Sequence, residues 1–205
     1  MENLKTLGEL CTISIGRTPA RANHRFWDPN KKTNNIWLSI ADLGRADSNA
    51  VISDSSEYVS DAGAASFSAV PAGTLLMSFK LTIGRLAFAG ADLRTNEAIA
   101  ALIPLDPNEI DTRYLYYMLM SKDWDAIAGS DVKVKGKTLN KQKLGVIPIS
   151  YPSIEIQKKT VEKLDGLMDE FYGVESLIKL QQASLSELKA SILRSGLRDV
   201  TDGSE

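Results

Sequence analysis

The chain has 205 residues and one cysteine, Cys11, which excludes an internal disulfide and a cysteine-built zinc site. It has one histidine, His24, so no histidine cluster can hold a metal, and a lone loop histidine reads as incidental. Nowhere do about 18 apolar residues run together, so a membrane-spanning helix is not expected. The opening Met1-Glu-Asn-Leu-Lys-Thr-Leu-Gly-Glu-Leu holds no sustained apolar run, so no signal peptide is expected; the lone cysteine fits a reducing cytosol, and a cytoplasmic location is expected. Glycines never form G-x-G-x-x-G after a strand. Gly136-Lys137-Thr138 resembles the end of a phosphate loop, but Asp131 stands where its first glycine is needed. Asp28-Pro29-Asn30 and Asp106-Pro107-Asn108 lack the second proline and the aromatic that grip a flipped base. Glu187 and Lys189 flank Leu188, an apolar helix position, rather than a nuclease centre. These absences leave no catalytic or cofactor-binding constellation, and a non-catalytic binding module is expected.

Charge excess is also lacking: the formal net charge is −2. Locally the charges segregate. Residues 17–32 and 129–143 each carry five Lys or Arg against one Asp, and residues 42–61 carry five acidic groups against Arg45. Such segregation gives a near-neutral chain either one basic face or ordinary solvated loops, and charge alone leaves both open.

What is present most clearly is a heptad seam. Leu164, Leu167, Phe171, Val174, Ile178, Gln181, Leu185, Leu188 and Ile192 recur at alternating spacings of three and four, with no proline among them. A helix of roughly 40 residues here would be about 60 Å long, so most of it needs a partner helix. Gln181, the polar member, either sets register in a buried seam or faces solvent near a crossing point.

Ahead of the seam, residues 1–151 read as one mixed α/β (α+β) domain. Strands are expected over 7–15, 35–40, 70–79, 83–89, 99–104 and 146–149. A helix is expected from Asp111, as N-cap, to about Ala128, and a short one over 140–144. Residues 152–198 read as the long helix, with Ser153 as N-cap, and 199–205 as a polar tail.

Three clusters in the first domain suit nucleic acid. Arg17, Arg21 and Arg25 share an early loop with Thr18 and Asn23; arginine binds guanine or phosphate and asparagine binds adenine. Lys80, Thr82 and Arg85 surround a turn between apolar strands, a cationic tip on a rigid scaffold. Lys133, Lys135 and Lys137 alternate with Val132, Val134 and Gly136, so one strand would set three amines in a row along a phosphate backbone. Solubilising surface charge is the competing reading of each cluster. A coiled-coil protein-interaction adaptor without DNA binding is the competing reading of the chain.

The order of several segments resembles the specificity subunits of type I restriction–modification systems. They are Leu7-Gly-Glu-Leu-Cys with Gly16-Arg-Thr-Pro, Trp37-Leu-Ser-Ile-Ala-Asp-Leu and Pro71-Ala-Gly-Thr-Leu-Leu-Met-Ser. After these come Ile83-Gly-Arg-Leu-Ala, Thr95-Asn-Glu-Ala-Ile-Ala-Ala-Leu and Leu139-Asn-Lys, the last leading to Ile147-Pro-Ile-Ser-Tyr-Pro-Ser-Ile-Glu-Ile-Gln. The resemblance implies a target-recognition domain followed by a conserved long helix. It implies double-stranded DNA, adenine methyltransferase subunits and a restriction–translocase subunit as partners, with S-adenosylmethionine, ATP and Mg²⁺ on those partners and no cofactor here. Family members usually carry two recognition units whose helices pack antiparallel. This chain has one unit and one helix, so the expectation is either a natural half-length form that homodimerises or a piece of a longer subunit. It also departs in having Glu97 after Asn96 where glutamine is frequent, and Ser153 where a second proline is frequent.

Overall fold

The computed structural model describes residues 2–47, 49–129, 132–133 and 136–202, and for 132–133, 136–138 and 195–202 the backbone alone. In chain order the elements are β1 (Asn3–Thr6), α1 (Leu7–Leu10), β2 (Cys11–Ile15), β3 (Ile36–Leu38), α2 (Ile40–Leu43), β4 (Val51–Ile52), β5 (Glu57–Tyr58) and α3 (Asp61–Ala64). Next come β6 (Leu75–Ser78), β7 (Lys80–Leu81), β8 (Leu86–Ala89), β9 (Arg94–Thr95), β10 (Ile99–Pro104), α4 (Thr112–Met120) and α5 (Trp124–Ala128). The chain ends in β11 (Val132–Lys133), β12 (Gly136–Thr138), α6 (Lys141–Gly145), β13 (Pro148–Tyr151) and α7 (Ile154–Asp202). This is the expected α+β domain with one long helix. Two compact units divide it, Met1–Val161 and Glu162–Glu205.

The first unit is organised by a five-stranded sheet in the order β2-β10-β6-β8-β4, antiparallel except for the β4–β8 pair. Its centre is β10, where Ile99, Ala100, Ala101 and Leu102 are all fully buried. A strand covered on both faces carries a continuous apolar run rather than an alternating one, and this run has that form. Smaller sheets β5-β3-β9, β11-β12-β7 and β1-β13 complete the unit.

Local chemistry explains where the expected elements were redrawn. Residues 7–15 are not one strand. Thr6 and Glu9 form a reciprocal capping box, the Thr6 N–H donating to the Glu9 carboxylate at 2.8 Å, and one helical turn precedes β2. The expected helix over 111–128 is two helices. Asp111 caps the first by accepting from the Tyr114 N–H at 2.8 Å. Asp123 caps the second by accepting from the Asp125 and Ala126 N–H groups at 3.1 and 3.0 Å. The lysine-rich segment is two short paired strands rather than one, with Val132 opposite Lys137 and Lys133 opposite Gly136. Helix α7 runs on to Asp202, through the start of the segment expected as a polar tail.

The first turn of α7 is tied into the first unit by Gln157, which is fully buried. Its carbonyl oxygen accepts from the Asp111 N–H at 2.9 Å, and its amide donates to the Glu109 and Pro152 carbonyls, each at 2.9 Å. Nearby, the Tyr151 hydroxyl donates to Glu109 at 2.6 Å and Lys5 pairs with the same carboxylate. Hydrogen bonds from Lys5 and Tyr151 hold the Glu109 carboxyl below its ordinary range. Burial, reinforced by Glu109, pushes the Tyr151 hydroxyl up to about 12. Burial also pushes the Cys11 thiol up to about 12, which leaves it unreactive at neutral pH.

The second unit is helix alone. Leu164 is half-buried, while Leu167, Phe171, Val174, Ile178, Leu185, Leu188 and Ile192 expose between 48% and 66% of their surface. Gln181 is exposed as well, and Leu177, beside the seam, is 63% exposed. Among the described residues no helix is long and apolar enough to cross a membrane.

Candidate nucleic-acid interface

The early basic loop is pinned at its start. Gly16 lies against β9, where an added Cβ would sit 2.1 Å from the Thr95 carbonyl oxygen, so only glycine fits. Beside it the Arg17 N–H donates to that carbonyl at 2.8 Å, and the Trp37 indole N–H donates to the Arg17 carbonyl at 2.9 Å. The Arg17 side chain is exposed and makes no hydrogen bond or ion pair among the described residues.

Arg21 is engaged within the chain. Its guanidinium lies 4.1 Å from the Trp27 ring centroid and 4.7 Å from that of Trp37, the two indoles meeting edge to face at 5.1 Å. Both terminal nitrogens donate to the Glu57 carboxylate, one at 3.1 Å. A planar cation stacked on rings and chelated by a carboxylate is a positioned group rather than a loose surface charge. A groove of about 410 Å³ beside it is lined by Arg21, His24, Trp27, Glu57 and Tyr58. Arg25 sits in a 3₁₀ turn over His24–Phe26, with its carbonyl accepting from the Ser60 hydroxyl at 2.5 Å and its side chain exposed.

The second cluster is a turn built on Ser78, which is fully buried. The Ser78 hydroxyl donates to the Thr82 carbonyl and accepts from the Arg85 N–H at 3.1 Å, while the Gly84 N–H donates to the Ser78 carbonyl at 2.9 Å. These bonds hold Lys80, Thr82 and Arg85 around one tip, with the Lys80 amine 5.2 Å from the Phe79 ring centroid. Strand β7 then pairs with β12, Lys80 opposite Thr138 and Leu81 opposite Lys137. The backbone of the β11–β12 pair is therefore hydrogen-bonded to the turn through β12. Lys135 lies outside the described residues.

Glu97 joins the loop to the turn. Its carboxylate accepts from the Thr18 hydroxyl. Burial opposes its ionisation, but the Thr18 bond and the charges of Lys80 and Arg21 outweigh it and hold the carboxyl below its usual range. The fold thus brings the 17–21 loop, the 78–85 turn and the 132–138 hairpin to one region. No described contact ties Arg25 to Glu97 or Lys80. Sequence reasoning marked Glu97 only as a departure from the family's pattern and did not mark Glu57, whose pairing with Arg21 shows only when distant segments are folded together. Among the described residues no group of three His, Cys, Asp or Glu side chains could hold a metal ion.

Residues 2–182 match the family described as the type I restriction modification DNA specificity domain. The chain belongs to that family. The match covers the first unit and the seam as far as Gln181. The type I restriction enzyme MjaIX specificity subunit of Methanocaldococcus jannaschii is 28% identical over 177 residues, covering 82% of this chain and 38% of that protein. A solved structure of a type I restriction–modification system superposes with a TM-score of 0.71 at 20% identity, over 91% of this chain and 43% of that one. The HsdS subunit of Thermoanaerobacter tengcongensis gives 0.63 at 19% identity, over 85% and 39%. At these identities the structures establish the shared fold. The specificity domain of this chain spans about two fifths of the length of the relatives it matches.

Proposed function

We propose that this chain is the DNA-recognition subunit of a type I restriction–modification complex, with the first unit reading one half of a bipartite site. The observation that carries the reading is the family match across both the recognition unit and most of the seam. The approach of the 17–21 loop and Lys80 to Glu97, with β12 paired to β7, supports it, because phosphate contacts need one cationic face, not a basic protein. Arg17, Arg25, Lys80, Thr82, Arg85, Lys133, Lys135 and Lys137 are the candidate contacts. Arg21 joins them as a stacked arginine that exchanges Glu57 for DNA or orients its neighbours.

In this reading the chain is non-catalytic. It docks adenine methyltransferase subunits, and a restriction–translocase subunit in the cleaving complex, and S-adenosylmethionine, ATP and Mg²⁺ act on those partners. The seam from Leu164 to Ile192 pairs with the same helix of a second copy, an isologous contact that turns one recognition unit into two. The site read is then bipartite and palindromic, and the complex works in the cytoplasm.

The test is duplex binding by the full chain together with its methyltransferase subunit across a salt series. The expected result is sequence-selective binding whose log–log salt slope is about −0.9 per phosphate neutralised. Binding to protein partners with no salt-dependent DNA affinity would support the adaptor reading instead.

A further inference from the structure

At the tip of the Ser78–Arg85 turn stands Leu81, with a backbone φ of +63°. An L-residue with a Cβ is disfavoured there, and glycine, asparagine or aspartate is the usual occupant. Burial does not explain the choice of leucine, since Leu81 is 52% exposed. Its chain neighbours are Lys80 and Thr82, so an exposed apolar side chain stands between a cation and a hydroxyl, while the Arg85 guanidinium turns to the Ile40 carbonyl at 3.5 Å.

The tip is also braced. Ser78 holds Thr82, Gly84 and the Arg85 N–H by the bonds described above. Gly84, at φ +86°, packs so closely on Trp124 that an added Cβ would lie 2.2 Å from the indole ring. The Trp124 indole N–H in turn donates to the Leu119 carbonyl at 3.0 Å. An exposed apolar group in a strained, buttressed backbone is poorly explained by stability and well explained by contact with a ligand. The flanking Lys80 fixes the ligand's sign as anionic, and the apolar tip needs an apolar spot within it. In duplex DNA that combination is the C5 methyl of thymine, displayed in the major groove between phosphate rails.

Building on the DNA-recognition reading above, we infer that Leu81 is a specificity-determining residue that seats on a thymine methyl while Lys80 holds an adjoining phosphate. The side chain selects thymine over cytosine at one position of the half-site. The strained backbone keeps it aimed, so little order is lost on binding.

The experiment uses the full chain with its methyltransferase subunit on its own methylated site and on a scrambled duplex. Leu81→Gly relieves the backbone and removes the methyl contact. Binding to the true site should fall roughly fivefold or more. Binding to the scrambled duplex and the melting temperature should hold or rise. Leu81→Met, which keeps apolar reach, should restore most of the selectivity. Replacing one thymine of the half-site by uracil should weaken the wild type and leave Leu81→Gly unaffected. Equal loss on both duplexes, no loss, or insensitivity of the wild type to every uracil substitution overturns this inference and leaves the DNA-recognition reading standing. A wild-type complex that does not distinguish the two duplexes overturns both.

Discussion

Gln157 and Gln181 are the same side chain, 24 residues apart on α7, in opposite settings. Gln157 is sealed from water and spends its carbonyl and its amide on three backbone groups. Gln181 is exposed within a row of leucines, isoleucines and a phenylalanine that are themselves about half exposed. The first turn of the helix is finished by hydrogen bonds to its own unit, whereas the stretch beyond Glu162 carries an apolar stripe that is about half exposed. A buried amide whose oxygen and both N–H groups are engaged is a fixed joint. A stripe of large apolar side chains left in water marks an association surface. One helix thus combines an anchor, specified by hydrogen bonds, with a seam specified by shape and apolar area.

The largest break in this comparison comes from the seam. Ile178→Asp combined with Leu185→Asp places charges where apolar contact is needed, and each site forfeits about 1.5–3 kcal/mol of burial before the charge is counted. On the proposed homodimer, sedimentation should show a dimer for the wild type and a monomer for this variant, with the melting of the first unit unchanged.

Gln157→Leu strikes the anchor instead. It strands the Asp111 N–H and the Glu109 and Pro152 carbonyls, at about 1–3 kcal/mol for each group left unsatisfied. Urea unfolding should show the first unit weakened by about 3 kcal/mol, with the seam still able to pair.

A smaller effect separates the two regions by pH. Lys5 and Tyr151 keep the Glu109 carboxylate ionised below its ordinary range. The anchor's ion pair therefore contributes fully above about pH 4.3, the unfolded value, and is lost as pH falls through the lower folded value. Glu109→Gln should remove that acid-limb dependence and about 1 kcal/mol at neutral pH, read from unfolding curves at several pH values. Gln181→Leu is the mildest change. In a paired seam it should raise the melting temperature by about 2–4 °C. An unchanged value would place Gln181 outside the contact.

Elements carried by local chemistry were legible in the sequence. The Asp111 cap, the apolar β10 run and the three–four spacing of the seam each express a period or a cap that needs no distant partner. The Thr6–Glu9 box was legible too, but the apolar pattern from Leu7 to Ile15 masked it, and a strand was expected where a helical turn stands. What local pattern does not carry is adjacency. Nothing near Lys80 indicates that β7 pairs with the 132–138 hairpin, or that Glu97 meets Thr18 across 79 residues. Arg21 illustrates the same limit: its charge was visible, but its stacking on Trp27 and Trp37 and its pairing with Glu57 depend on three separate segments. Gln157 reads from sequence as one more polar residue of a surface helix, and only the loop before α4 gives it a role.

The central claim is that one recognition unit becomes two through the bare half of α7. Mapping methylated bases in the native host tests it most directly. The account predicts a palindromic site of two identical half-sites separated by a fixed spacer. Asymmetric sites alone, in a host with no second specificity subunit, would contradict it.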